Sequence, residues 1–471
     1  MKWRILILSA ISLFFTACQV QENIQDGQTA YKLKKYKLAA ELLQKDFNKA
    51  ELPDEKSKIA FQIGESYANN NNYENAGEWY FKAYDLGYES EAILQYALML
   101  KAQEKYEEAL KEFEKYLLEE PYRRPEMTLE MDACKNGIAW KQRQENEYER
   151  DTYVTEITTL NSGDADFNPV IYQGDKLIFT SSRDMSTGEN NDSWTGDKYY
   201  DLYVANIKDV TSFSAPELFK GPFNAAYNDG TLAFNKDYSE VYFTRCGSDD
   251  RKVDDYCGIY VSNYLPDGGW SEPVALPFFD DTMNIGTPCL SLDGNTLFFA
   301  ATNPDGYGGA DIYMSRRTES GWDAAYNAGQ VINTSGNEVF PYFDSEGVMY
   351  FSSDKHPGLG GLDIFSATWK NNKFSNIKNM EYPINSGADD FGLILLDKKQ
   401  FINSDTLNAG YFSSNRKGGM GDDDMYFFAK TTKKLRPPVF VLKGTVLEKV
   451  YLDSLDVNST VLDTIPLDKS I

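Results

Sequence analysis

From residue 24 to residue 148 the apolar positions follow a helical rhythm. The phrases "YKLAAELLQK" from Tyr36, "YENAGEWYFKA" from Tyr73 and "YEEALKEFEKY" from Tyr106 align, with starts 37 and 33 residues apart. In each, an alanine (Ala39, Ala76, Ala109) stands four residues before a larger apolar residue (Leu43, Tyr80, Phe113), which puts both on one helix face. Glycine and proline are sparse, so the stretch predicts paired helices, with a further helix over residues 127–149 capping the stack. From about residue 151 the rhythm changes to short Tyr, Phe, Val and Ile runs between Gly, Asn, Asp and Pro clusters, which predicts strands and turns.

Five related phrases recur in that second part: "KLIFTSS" from Lys176, "EVYFTRC" from Glu240, "TLFFAAT" from Thr296, "VMYFSSD" from Val348 and "AGYFSSN" from Ala409. Each centres on a phenylalanine (Phe179, Phe243, Phe299, Phe351, Phe412), and these anchors step by 64, 56, 52 and 61 residues. A polar, mostly Gly-rich loop follows, then a second strand centred on Tyr203, Tyr260, Tyr313, Phe365 or Tyr426. Pro169, Pro288 and Pro341 stand upstream in three copies, and edge phrases such as "GWSEPVALP" follow several second strands. Units of three to four strands and roughly 55 residues cannot cover their own apolar faces, so they predict a β-propeller. Five blades are expected, or six if the strand at 151–160 and an irregular segment complete one. The chain therefore reads as an α + β multidomain protein: leader 1–17, helical repeats 18–150, propeller 151–432, and 433–471 a linker with the start of a further β unit.

The helical phrases, with Ile63, Gly64 and Tyr67 upstream and Pro121 at the end, resemble tetratricopeptide (TPR) repeats. That resemblance implies a concave face for a protein partner, with Tyr67, Trp79 and Tyr80 as candidates for it. The propeller phrases resemble the WD40-like (PD40) repeat of the TolB family, "F-S-S-x-R…G-x-x-D-I-Y". Its recurring aspartate falls on Asp201, Asp311, Asp363 and Asp424, with Gly258 in the second copy. An aspartate at that place is expected to cap a turn. The acidic run at 422–424 lacks the alternating ligand spacing of a calcium loop, and no GK[ST] follows the glycines of "RKGGMGDDD" to make a phosphate cradle. No metal and no cofactor is expected.

The first residues, "MKWRILILSAISLFFTACQV", join a basic start (Lys2, Arg4) to an apolar run and to small residues before Cys18. The segment resembles a bacterial lipoprotein signal, which implies a lipid on Cys18; Phe15 departs from the usual Leu. An ordinary signal peptide with an incidental cysteine is the other reading. A formal charge of −25 argues against nucleic acid, whose binding needs clustered Lys and Arg. In an exported protein Cys246 and Cys257 could pair; buried free thiols are the alternative.

Catalysis finds little purchase. The single histidine, His356, lies in a repeat loop, no G-x-S-x-G elbow occurs, and adjacent acids such as Asp280–Asp281 and Asp389–Asp390 are poor evidence for acid–base work. The expectation is that the chain is no enzyme. The order of lipoprotein leader, helical repeats, propeller and the opening of a regulatory-like β-sandwich ("VFVLKGTVLE") resembles a Bacteroidetes group of OmpA-family outer-membrane lipoproteins, PorE-like in arrangement. The C-terminal OmpA-like, peptidoglycan-holding domain of that group is not in this sequence. The resemblance implies a scaffold on the periplasmic side of the outer membrane, beside PorP/SprF-like proteins in type IX secretion or gliding. The alternative is a glycan-binding propeller, with sugars stacking on Trp194, Trp270, Trp322 or Trp369, although Trp270 and Trp322 share a "GW" place after the second strand, which suggests packing.

Overall fold

Small residues decide how the helices meet. The computed structural model describes residues 24–432 apart from 185, 188–197, 226, 248–256, 279–282 and 399–404, and residues 447–466 apart from 453, 454 and 457. Its α-helices are α1 (Gly27–Lys32), α2 (Tyr36–Lys49), α3 (Pro53–Ala68), α4 (Tyr73–Asp85), α5 (Glu91–Ala102), α6 (Tyr106–Glu119) and α7 (Arg124–Glu145). Ala39, Ala76 and Ala109 are fully buried, and the ring of Tyr80 lies where any side chain on Gly64 would stand. Lys34, Asn71 and Glu104, in the turns α1–α2, α3–α4 and α5–α6, have φ of 56°, 55° and 59°. A left-handed residue other than glycine costs roughly 1–2 kcal/mol, yet it recurs here at the same 37- and 33-residue steps as the aligned phrases. The repeat is therefore one of backbone geometry, not of composition alone. No described helix is long and apolar enough to cross a membrane.

Five antiparallel sheets follow as blades. Their innermost strands are Asp166–Tyr172, Asn228–Phe234, Ile285–Leu290, Glu338–Phe343 and Asp390–Leu395 for blades 1 to 5. Each carries a bulge with a left-handed residue at the matching place: Asn168, Thr231, Thr287, Phe340 and Gly392. A bulge bends its strand and frees a backbone amide. In blades 1, 2 and 3 that amide donates to a hydroxyl on the second strand of the preceding blade: Ser413 at 2.9 Å, Thr180 at 3.1 Å and Thr244 at 3.0 Å. The five phenylalanine anchors are directly opposite Tyr203, Tyr260, Tyr313, Phe365 and Tyr426. Their ring centroids lie 5.7–6.4 Å apart, close enough for cross-strand aromatic attraction.

The strand Thr152–Glu156 builds no sixth blade. It pairs antiparallel with Asp424–Thr431, Thr152 opposite Lys430 and Glu156 opposite Tyr426, and so supplies the outermost strand of blade 5. Residues 433–471 form a separate compact unit, whose described part is a pair of antiparallel strands, Leu447–Tyr451 and Val461–Pro466.

Blade 2, whose copy has Gly258 in place of the recurring aspartate, ties the same loop covalently. Cys246 and Cys257 face one another across the strand pair and form a disulfide, while Cys134 and Cys289 are buried thiols. Closing a segment of sequence separation 11 stabilises by about 3 kcal/mol on chain-entropy grounds. Adding a reductant should therefore move the urea midpoint of the wild type clearly downwards and leave Cys246→Ser/Cys257→Ser unmoved. Equal response of the two proteins would remove this disulfide from the stability of blade 2.

Candidate functional site

The loops at the start of the innermost strands are wired by repeated polar bonds. Asn161, Asn224, Asn333 and Asn385 each accept an amide N–H and return their own N–H to the carbonyl of the same residue: Met425, Leu202, Ile312 and Ile364, at 2.7–3.2 Å. Buried acids stand a few residues further on. Asp166, Asp229, Glu338 and Asp390 are fully buried, and each accepts the amide N–H of the residue four before it: Ser162, Ala225, Thr334 and Ser386. Arg183, Arg245 and Arg416 pair with three of these acids. Their guanidinium carbons sit 4.9–5.5 Å over the anchor rings of their own blades. A buried charge survives only when paired and hydrogen-bonded; arginines pair three of these acids and the hydroxyls of Thr334 and Ser353 bond Glu338, yet burial still pushes Asp229 up to about 7 and holds Asp390 and Glu338 above the usual carboxylate range.

His356 takes the arginine's place in blade 4. Its ring lies against Phe351 and Phe365 at 5.6 and 5.2 Å, and its Nε2 is 2.8 Å from the carbonyl of Ile332. Arg183 and Arg416 make the matching bond to the carbonyls of Leu160 and Ile384. The only histidine of the chain is thus committed to holding a blade loop.

The recurring aspartates serve the adjacent turn. Asp201, Asp311, Asp363 and Asp424 are 1% exposed and accept backbone N–H groups from Thr187, Tyr307, Gly360 and Gly421. A side chain on Gly306, Gly358 or Gly419 would collide with the carboxylate of Asp311, Asp363 or Asp424. The glycines of the loop are there to let it wrap an aspartate. Among the described residues no cluster of acids, histidines or cysteines converges to hold a metal.

The helices dock on the same loops of blades 4 and 5. Leu359, fully buried, inserts among Tyr106, Cys134 and their neighbours in the helical core. Arg143 on α7 pairs with Glu381 at 2.6 Å, and the amide of Gly387 donates to Glu104 at 3.2 Å. Beside these contacts a polar cleft of about 900 Å³ remains, bounded by the turns at 69–74 and 102–105 and by the propeller loops at 382–388 and 415–423.

On the propeller side of this cleft the internal repeat breaks. In blades 2 to 5, Asn228, Asn284, Asn337 and Asp389 accept the amide that opens the third strand of the preceding blade, from Tyr200, Cys257, Ala310 and Leu362. At the junction of blades 5 and 1 the corresponding pair is Ala165 and Asp423, and Ala165 has no side-chain acceptor. The half-buried Asp423 brings instead a carboxyl among Asp389, Asp422, Asp424 and Asp166. Burial first, and those charges second, push it up to about 7. Sequence reading missed the asparagine clamp, the acid–arginine lock and this break, although "LNSGDAD", "INTSGNE" and "INSGADD" stand in register in the chain.

Other candidates are placed differently. Tyr80 is 2% exposed and belongs to the helical core, so it has no surface for a partner. Tyr67 is half-buried and accepts a bond from Gln44 at 2.8 Å, and Trp79 packs edge-on against Phe47 at 5.1 Å beneath Lys82. Trp270, Trp322 and Trp369 are half-buried and lie against Phe223, Tyr242 and Phe374, the packing that the shared "GW" place of Trp270 and Trp322 suggests. Cys18, Trp194 and the pair Asp280–Asp281 lie outside the described residues.

No protein-family model matches the chain, and no curated protein sequence does. Among solved structures, a glycoside hydrolase aligns over 65% of this chain and 98% of its own, at 10% identity and a TM-score of 0.40. A TolB from Agrobacterium tumefaciens aligns over 60% and 98%, at 11% identity and 0.34. An α-L-arabinofuranosidase from Clostridium thermocellum aligns over 64% and 94%, at 12% and 0.34. The likeness is one of fold: a five-bladed propeller behind a helical N-terminal region. It corrects the expectation that the chain is no enzyme. Glycoside hydrolases stand among the solved structures it resembles, at 10–12% identity.

The raised carboxyl of Asp423 has a consequence for stability. Folded, it holds a proton up to about pH 7, whereas unfolded it releases it near 4. The folded state therefore binds the extra proton in that window, and stability falls as pH rises through it. Asp423→Asn should raise the melting temperature more at pH 8 than at pH 4, flattening the pH profile. A gain of the same size at both values would show that Asp423 does not carry this proton.

Proposed function

We propose that this chain is a lipid-anchored envelope scaffold that holds a protein partner in the cleft between its TPR-type repeats and its propeller. The observation that carries the reading is a cleft walled by both halves and fixed by the buried Leu359 and the Arg143–Glu381 pair. A site built on elements locked in this way loses little conformational freedom on binding. The repeated left-handed turns at Lys34, Asn71 and Glu104 support the TPR-type assignment of its helical wall. The anchor on Cys18, the outer membrane and partners of the PorP/SprF kind in type IX secretion or gliding come from the sequence resemblance and belong to the same proposal.

A photo-cross-linking residue at Lys417, on the cleft, should capture an envelope protein in native membranes, and the same residue at Lys58, on the exposed face of α3, should not. Reversing Asp422 and Asp423 to Lys should lower that yield by at least about tenfold, a loss of some 1.4 kcal/mol. Cys18→Ala should move the protein out of the membrane fraction. Equal cross-links from both positions would sink the cleft, and an unchanged membrane fraction would sink the anchor.

A further inference from the structure

The face of the propeller away from the helices carries a second concavity, on its axis. The chain of inference starts at the bulges of the innermost strands. Above them the channel is stoppered by phenylalanines, with Phe391 5.9 Å from Phe167 and 4.7 Å from Phe340. Below them a blind well of about 550 Å³ opens between the first turns of the blades, lined by apolar side chains from all five innermost strands, among them Pro169, Leu232, Pro288 and Leu393. The bulge amides of Asn168, Thr231 and Thr287 are already bonded to hydroxyls of the neighbouring blades. The well thus offers a ligand apolar surface and few donors. At its lip Leu292 is 49% exposed.

The rim is charged. Asp237 and Asp293 lie in the turns that bound the mouth, and Glu346 and Asp397 stand close to its lining residues Ser345 and Leu395; among the described residues Lys236, Lys398 and Arg317 oppose them, with Lys398 paired to Glu346 at 3.5 Å and Arg317, which reaches the Gly294 carbonyl at 3.1 Å, paired to Glu240 at 2.6 Å. Hydrogen bonds from the Ser239 and Ser291 hydroxyls, at 2.7 and 2.6 Å, hold Asp237 and Asp293 below the usual carboxylate range, so both stay ionised. An apolar hole whose rim carries more acids than bases, two of the acids held ionised, selects for apolar and cationic groups side by side.

We infer that this axial well is a second docking site, which takes an apolar side chain flanked by lysine or arginine from a partner protein. It is independent of the cleft: the two surfaces lie at opposite ends of the innermost strands, and neither needs the other.

A random dodecapeptide library on phage, panned on the whole chain, tests it. Peptides recovered should carry a large apolar residue beside Lys or Arg, and synthetic copies should weaken with added salt, as exposed charge pairs do. Ala233→Trp, which fills the well, and Leu292→Glu, which alters only an exposed lip residue, should each weaken them at least about tenfold. Glu346→Lys/Asp397→Lys should do so in proportion to the positive charge of the peptide. A thermal melt of each variant separates lost binding from lost folding, and Leu292→Glu keeps the test alive if Ala233→Trp does not fold. Recovery of no peptide, recovery of acidic or purely polar ones, or binding indifferent to Leu292→Glu would overturn the assignment.

Discussion

The pairing of Thr152–Glu156 with Asp424–Thr431 is the constraint on which the rest of the molecule depends. In a propeller built only from consecutive blades, packing between the first and last blade alone would hold the ring shut. Here five residues from before the first blade complete the last one, at the entropic cost of closing a loop of more than 260 residues. That cost grows only with the logarithm of loop length, so a short ladder backed by the packing of Val154 in the blade 5 core can meet it. The same pairing places the helices. The helix α7 ends at Glu145, a few residues before the closing strand, so the helical array can lie only beside blade 5 and its neighbour. Leu359, Glu381 and Gly387 are where that tether brings it down.

Inside the ring, stability is organised around buried charge. Each acid–arginine lock puts two ions where desolvation costs several kcal/mol apiece, and such a pair gains little over a well-packed apolar one. What it does supply is direction. The carboxylate fixes a backbone amide four residues earlier, and the arginine reaches the carbonyl beside the asparagine clamp, so loop, strand and neighbouring blade share one register. Blade 4 keeps the arrangement with Glu338, Ser353 and His356. In blade 3 Ile285 opens the innermost strand in place of the acid, without loss of the fold. The lock is a tool for specifying loops, used where the loops matter.

Much of this was legible in the chain. The phenylalanine anchors and the aromatic centres of the second strands proved to be direct cross-strand partners, because a period-two strand leaves one register that buries both. The aspartates and glycines of the loops were visible as a pair, since each needs the other's space. The sixth-blade alternative could not be decided from one strand, because closure is a contact between sequence ends. Tyr80 failed as a partner residue for a related reason: an aromatic at helix spacing looks the same whether a second helix or a ligand covers it, and here Gly64 makes room for its ring. Trp270 and Trp322 were legible as packing, because a repeated place after the second strand points to a repeated neighbour.

The cleft was illegible for a deeper reason. Repeats average out their own exceptions, so attention drawn to what recurs passes over Ala165 and Asp423, which are informative only as departures. An alanine in place of an amide acceptor, and a carboxyl among four others, both violate the local rule that every other junction obeys. Real proteins break such rules where function or closure requires it. The closing junction of the ring, the docking of the helices and Asp423, one of several carboxyls that burial holds above the usual range, coincide in a few residues. An asparagine at 165 would supply the missing acceptor, and one at 423 would remove the charge. That departure, where helices and propeller leave an open cleft, supports the proposal of a partner site there rather than on the outer walls of the blades.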